Sequence, residues 1–212
     1  MVTGTAGGRA VLNEELRVED RAALGWAVST GHHLAAAVVE RMRSGGSGVT
    51  TGELAAIAEG WAEAGRPPPE AHVHRTPVTL IDGTSITGVT FLEDDHYGRE
   101  AAPTFGLYLD ERWDPPWSHA LVDWPDFGLP TDPEAFRAAL LDVRQRAQRD
   151  ERVEIGCLGG HGRTGTALAC LAVLAGTPAS EGVASIRATY CPKAVETAAQ
   201  ERLVAAFERG KA

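Results

Sequence analysis

Cys157 and Arg163 stand six positions apart in the stretch V-E-I-G-C-L-G-G-H-G-R-T-G-T (Val153 to Thr166), with Gly159, Gly160 and Gly162 between them. Val153 to Ile155 is short and β-branched at both ends, which predicts a strand running into the loop. From Thr166 the run A-L-A-C-L-A-V-L-A has the composition and length of a buried helix. A strand, a glycine-rich loop and a helix together aim successive backbone N–H groups and the positive end of a helix dipole at one point. A cysteine at the mouth of such a nest is expected to be a thiolate at neutral pH, and an arginine at its far end offers a two-pronged donor to an oxyanion. Those residue types in that order predict a nucleophile that handles phosphate. The plainer reading is a tight strand-to-helix turn with Cys157 as a small buried apolar residue. Such a turn needs one or two glycines, whereas this loop, with Gly165, has four.

A second group of residues supplies what a thiolate lacks. Asp123 to Pro130 reads D-W-P-D-F-G-L-P and places Asp126 31 residues before Cys157. Cleaving a phosphate monoester requires a proton for the leaving oxygen, and a carboxylic acid on a mobile loop can give it. Trp124 and Pro125 suit a rigid hinge with an aromatic anchor, although W-P-D is also ordinary turn chemistry. The loop and the acid together make coincidence a poor account of either.

These residues must be held by an α/β scaffold. Val78–Ile81, Ile86–Leu92, Phe105–Leu109 and Ala120–Asp123 are β-rich pieces between turn signals. T-D-P-E (Thr131 to Glu134) then supplies a helix N-cap and a first-turn proline for a helix to about Gln148. Two further helical patterns, Ala179–Tyr190 and Ala194–Glu208, close the chain. The fold class expected is α/β, a central mixed sheet flanked by helices. Before it, Glu19–Arg43 (Leu24, Val28, Leu34, Val38, Met42) and Thr51–Ala64 read as helices, separated by the S-G-G-S-G joint at Ser44–Gly48. The triple proline Pro67–Pro69 marks a boundary, so residues 1–70 are expected to form a helical extension and residues 71–212 the chemical domain.

Composition narrows the function. With 43% hydrophobic and 23% charged residues the chain can build a substantial core. A formal charge of −9 argues against nucleic acid as a partner and makes attraction for a phosphorylated substrate local. No apolar run is long enough to span a bilayer, and the N-terminus lacks the apolar stretch of a signal peptide. Three cysteines, Cys157, Cys170 and Cys191, have neither metal-site spacing nor an even count, which predicts reduced thiols and a cytoplasmic location.

With Trp124, Pro125, Asp126 and the loop C-L-G-G-H-G-R-T-G (Cys157 to Gly165), the chain resembles the cysteine-dependent protein tyrosine phosphatase superfamily. The paired glycines make it look most like the dual-specificity branch, and the resemblance covers about Thr76 to Phe207. It implies a phosphatase-like three-layer fold and hydrolysis of phosphate monoesters through a phosphocysteine. Cys157 would be the nucleophile, Asp126 the general acid and then base, and Thr164 the donor that eases departure of the sulfur. Arg163 and the loop Leu158, Gly159, Gly160, His161 and Gly162 would bind the phosphoryl oxygens. V-E-T-A-A-Q (Val195 to Gln200) is similar to the family's late glutamine-bearing segment, so Gln200 or Glu196 would place the hydrolytic water. No metal or cofactor is implied. The partners implied are a phosphorylated protein or a small phosphomonoester, with the N-terminal helices packing on the domain or docking a partner.

The sequence departs from the family where Gly156 replaces the usual histidine before the nucleophile, and it has no clear aromatic loop for a deep phosphotyrosine pocket. Phosphoinositide, nucleotide or RNA 5′-phosphate substrates, or a weakly active phosphate-binding module, are the alternatives. Among the remaining residues, His161 is placed at the loop rim or on substrate, and His72 and His74 on an exposed segment. His32 and His33 are read as solvated or packed, and Glu93–Asp95 beside His96 as a solvated loop. Trp113 and Trp117 are expected to pack beneath the acid loop or to wall a substrate pocket.

Overall fold

A computed structural model of the chain describes residues 10–11, 23–24, 27, 34, 37–38, 41, 49–65, 74–75, 77–91 and 95–207. The chain divides into two compact units, Met1–His72 and Val73–Ala212. The S-G-G-S-G joint, Pro67–Pro69, His32, His33, His72, Glu93, Asp94 and most of the first expected helix, Val28 and Met42 included, lie outside the described residues.

In the first unit, strands β1 (Ala10–Val11) and β2 (Val49–Thr50) pair antiparallel, and helix α1 follows at Thr51–Glu63. T-T-G-E starts it. The Thr50 hydroxyl accepts from the Glu53 N–H while the Glu53 carboxylate accepts from the Thr50 N–H, a reciprocal capping box. Both Arg41 Nη groups also donate to Glu53, at 2.8 and 2.5 Å, and that hydrogen bonding holds its carboxyl down to about 2. Ile57 is buried against Ala23 and Ala27, described residues of the first expected helix.

The second unit is a five-stranded mixed sheet: β3 (Pro77–Thr79), β4 (Ser85–Thr90), β5 (Phe105–Tyr108), β6 (His119–Leu121) and β7 (Val153–Cys157). The spatial order is β3-β4-β7-β5-β6, with only the β3–β4 hairpin antiparallel. The centre of the sheet is therefore β7, buried at all five residues. Alternation sorts its side chains: Val153, Ile155 and Cys157 enter the main core, while Glu154 and Gly156 face the other way.

Four helices share that main core: α2 (Pro133–Ala147), α3 (Gly162–Ala175), α4 (Gly182–Thr189) and α5 (Ala198–Ala205). Helix α3 is buried from Gly162 to Val173, and apolar from Ala167 onward, because sheet, α2, α4 and α5 enclose it. The cap of α2 is Asp132 rather than Thr131. The Asp132 carboxylate accepts from the Glu134 and Ala135 N–H groups, and Pro133 fills the first helical position. Thr131 instead donates its hydroxyl to Asp123, bracing the segment that carries Asp126.

On the opposite face of the sheet the cover, among the described residues, is aromatic. Trp113 stacks on Tyr108 with ring centres 4.4 Å apart, joined by Phe91, Tyr97 and Trp117. The buried carboxylate of Glu154 lies in this layer, satisfied by Arg99 through two bonds of 2.9 and 3.0 Å and by the Tyr108 hydroxyl at 2.7 Å. Trp113 and Trp117 thus pack over β5 and β7, not beneath the acid loop as expected; Phe136 of α2 is the ring against Trp124. Among the described residues no helix is long and apolar enough to cross a membrane.

Candidate active site

Three parallel strands, β4, β7 and β5, end at one edge, where a doubly covered sheet exposes its C-terminal strand ends to a ligand. Cys157 is the last residue of β7, and Gly162 opens α3, so the turn between strand and helix has only four residues. The helix begins four residues before the expected Thr166, which places Arg163 and Thr164 in its first turn. The loop's carbonyl groups are bonded to the surrounding scaffold. Cys157 and Leu158 accept from Phe91 N, Leu158 also from the Thr90 hydroxyl, Gly160 from the Tyr190 hydroxyl at 2.7 Å, and His161 from Gly165 N and Val195 N. Of the loop glycines only Gly160, with φ of 72°, uses the left-handed region. Gly165 is there for close packing, because a Cβ would lie 2.9 Å from the backbone nitrogen of Val195.

Arg163 is buried, 4% exposed, and its guanidinium organises the site. Nη1 donates to the carbonyls of Leu109 and Trp124, both at 3.0 Å, and Nη2 pairs with Asp110 at 3.0 Å and Asp126 at 3.2 Å. Burial works against its charge, but Asp126, Cys157 and Asp110 outweigh that and hold it above the ordinary arginine value. Nε, also buried, has no hydrogen-bond partner among the described residues.

The acid loop is closed on this arginine through the Trp124 carbonyl and the Asp126 carboxylate. The loop is a tight turn: Gly128 N donates to Pro125 O at 2.9 Å, Trp124 Nε1 to Gly128 O at 2.8 Å, and Phe127 N to Asp126 Oδ1 at 3.2 Å. Phe127 adopts a φ of 58°, which strains a residue with a large side chain.

The Cys157 thiol is pushed above its ordinary value by burial, against the pull of Arg163 and the Thr164 hydroxyl and N–H, with Asp126 adding to the rise. Burial is the largest of these influences, and the Arg163 field that opposes it is shared with two carboxylates and two carbonyls. The Thr164 hydroxyl is fully buried and has no hydrogen-bond partner among the described residues.

Gln200 and Glu196 both reach the loop. Gln200 is fully buried; its Oε1 accepts from Glu196 N and Thr197 N, closing the cap of α5, and its Nε2 donates to Gly128 O at 3.4 Å. The Glu196 carboxylate lies against Gly162, 2.2 Å from where a Cβ would be.

Comparison with known proteins agrees with this geometry. The family described as PTP-SAK, a Swiss Army Knife protein DSP-PTPase phosphatase domain, matches residues 128–204. Two uncharacterized proteins of Methanocaldococcus jannaschii are similar: one is 32% identical over 116 residues, 50% of this chain and 70% of the relative. The other is 33% identical over 109 residues, 46% of this chain and 71% of the relative. The chain belongs to the cysteine-dependent protein tyrosine phosphatase superfamily, in its dual-specificity-like branch. The crystal structure of kinase associated phosphatase with its catalytic cysteine replaced by serine has the same fold, at a TM-score of 0.52 and 14% identity over 64% of this chain and 93% of that one.

Within this phosphatase domain two arrangements had no sequence signal of their own. Asp110 follows β5 and is buried beside Arg163, with Arg112 as a second partner. A carboxylate just past a parallel strand would have been suggestive only once β5 was known to neighbour β7. The second is the space beside Gly156. A Cβ there would lie 2.8 Å from Val89 Cγ2, 2.9 Å from Trp113 Cζ2 and 3.2 Å from Tyr108 Cδ1. The aromatic layer of the domain fills the place where the family usually has a histidine ring. Gly156→Ala should accordingly destabilise the protein by about 1–3 kcal/mol through overpacking, and histidine by more. Thermal melting checks this, and an unchanged Tm for Gly156→His would contradict the packing account.

Proposed function

We propose that this chain is a protein tyrosine or dual-specificity phosphatase that hydrolyses phosphate monoesters through a phosphocysteine. The observation that carries the reading is the position of Arg163 between the nucleophile and the acid, with Asp126 Oδ1 3.2 Å from its Nη2. In this reading the catalytic domain is residues 71–212. The carbonyls of Cys157, Leu158, Gly160 and His161 are bonded to the scaffold, which supports the N–H groups of Leu158 to Arg163 as the lining for the three phosphoryl oxygens. Incoming phosphate takes up the buried Nε of Arg163 and competes for its Nη groups, which loosens Asp126 from the guanidinium.

The Cys157 thiol first gives its proton to solvent; the thiolate then attacks phosphorus in line while the bond to the leaving oxygen breaks, and protonated Asp126 gives that oxygen its proton. The charge of the transition state falls on oxygens already faced by Arg163 and the loop amides. Water then attacks the phosphocysteine, Asp126 takes its proton, the S–P bond breaks, and inorganic phosphate leaves. Thr164 stabilises the departing sulfur. Gln200, whose Nε2 lies beside Gly128, or Glu196, whose carboxylate lies beside Gly162, places that water. A phosphorylated protein or a small phosphomonoester is the substrate.

The purified chain is expected to hydrolyse an aryl phosphate in chelator-treated buffer and to be inhibited by vanadate. Turnover that requires added metal, or that vanadate leaves untouched, would exclude the phosphocysteine route.

A further inference from the structure

The catalytic reading uses the backbone of residue 161 and leaves its side chain unexplained. His161 Nε2 lies 3.1 Å from Nε2 of His74, a residue 87 positions earlier in the chain. His74 is buried, not exposed as its sequence context suggested, and the two rings meet edge-on at 4.7 Å. The ring of Tyr190 lies 4.7 Å from His74 on another side, and Gly160 leaves room for His74, since a Cβ there would sit 2.7 Å from its Cδ2. The sulfur of Cys191, just after α4 and itself buried, completes the group: one donor atom from each of His74, His161 and Cys191 lies within 4.8 Å of the others. Cys191 Sγ also accepts from Lys193 N at 3.4 Å, an outer contact suited to a sulfur carrying charge. Its spacing from either histidine gives no sequence motif. The fold supplies the site that the spacing does not.

We propose that His74, His161 and Cys191 form a two-imidazole, one-thiolate site for a zinc-class divalent ion, tying the phosphate loop to the segments before β3 and after α4. Two Nε2 atoms bound to zinc at about 2.0–2.1 Å in tetrahedral geometry stand roughly 3.3 Å apart, so the 3.1 Å separation already approximates a ligating pair. Sulfur bound at about 2.3 Å belongs roughly 3.6 Å from each nitrogen, a small side-chain movement of Cys191. Three protein ligands leave a fourth position for water. On binding, the Cys191 thiol proton goes to solvent, and the imidazole that donates across the His–His contact moves its proton from Nε2 to Nδ1. A histidine pair sharing one proton would account for the 3.1 Å contact alone. It gives no role to a buried thiol converging on the same point.

The test is metal binding by the chelator-treated chain carrying Cys157→Ser, which removes the nucleophile as a competing ligand. Titration with Co²⁺ is expected to saturate at one ion per chain, with intense tetrahedral d–d bands and a sulfur-to-cobalt charge-transfer band that Zn²⁺ abolishes by displacement. Adding Cys191→Ser should remove the charge-transfer band. His74→Gln should weaken binding by about tenfold or more, with circular dichroism confirming that each variant is folded. Absence of saturable binding, or a charge-transfer band that survives Cys191→Ser and Cys191→Ala, overturns the proposal. Because the nucleophile is already gone, neither outcome bears on the phosphatase reading.

Discussion

Cys157→Ser protein is expected to fold, to bind an aryl phosphate, and to turn it over about 10⁴- to 10⁶-fold more slowly than the parent, the range found when a catalytic nucleophile is removed. In barrier terms that is about 5–8 kcal/mol, too large for any packing effect of exchanging one small side chain for another. The split between binding and turnover is what makes the experiment informative. The buried Arg163 guanidinium and the scaffold bonds that hold the loop do not depend on the sulfur, so the anion site should survive the substitution. Measuring Kd for a non-hydrolysable aryl phosphonate beside kcat separates the two. Turnover equal to the parent's would mean that another group attacks phosphorus. Lost binding together with lost turnover would mean that the loop itself had collapsed.

What the sequence could disclose follows from the range of the interactions involved. The β7–loop–α3 unit is contiguous, its strand and helix have distinct apolar patterns, and its glycines lie within a few residues of the groups they serve. Cys157, Arg163, Thr164 and the surrounding α/β class were legible for that reason. The pairing of Asp126 with the loop was foreshadowed too, because tryptophan and proline beside an acid are a local signature, and the fold brings that carboxylate to Arg163. The site's long-range partners were not. Asp110 reaches Arg163 only because β5 pairs with β7 in the register Tyr108↔Gly156, a fact about strand order. His74 looked exposed after a proline run, yet the hairpin β3–β4 returns that segment to the phosphate loop. The resemblance marked Gly156 as a departure but could not say what fills the space, since Trp113 comes from a connection more than forty residues earlier. The surroundings of the thiol are likewise long-range: burial, the largest influence on Cys157, and the carboxylates that share Arg163 with it are supplied only by the assembled site.

Asp126→Asn should separate two effects of one carboxylate that act in opposite directions. As general acid, its loss is expected to lower kcat on an alkyl phosphate by about 10² to 10⁴. The loss should be smaller on an aryl phosphate whose leaving group departs readily without a proton, so the ratio between the two substrates reports the proton and not the fold. As a charge, Asp126 raises the Cys157 thiol and pairs with Arg163. Neutralising it removes a negative neighbour of the sulfur and returns part of the guanidinium's field to it, so the thiol pKa must fall. The sign in the alkylation profile follows: the thiolate fraction rises as pH climbs through the folded pKa, and a lower pKa moves that rise toward acid. At neutral pH the variant should thus react faster with iodoacetamide at Cys157 while hydrolysing alkyl phosphates more slowly. Burial remains the largest influence on the thiol, so the shift should be partial. A slower enzyme with unchanged alkylation would leave Asp126 a proton donor only, and faster alkylation with full turnover would remove it from the chemistry. The combination of a worse catalyst and a more reactive nucleophile requires the carboxylate to do both, its 3.2 Å contact with Arg163 accounting for the second.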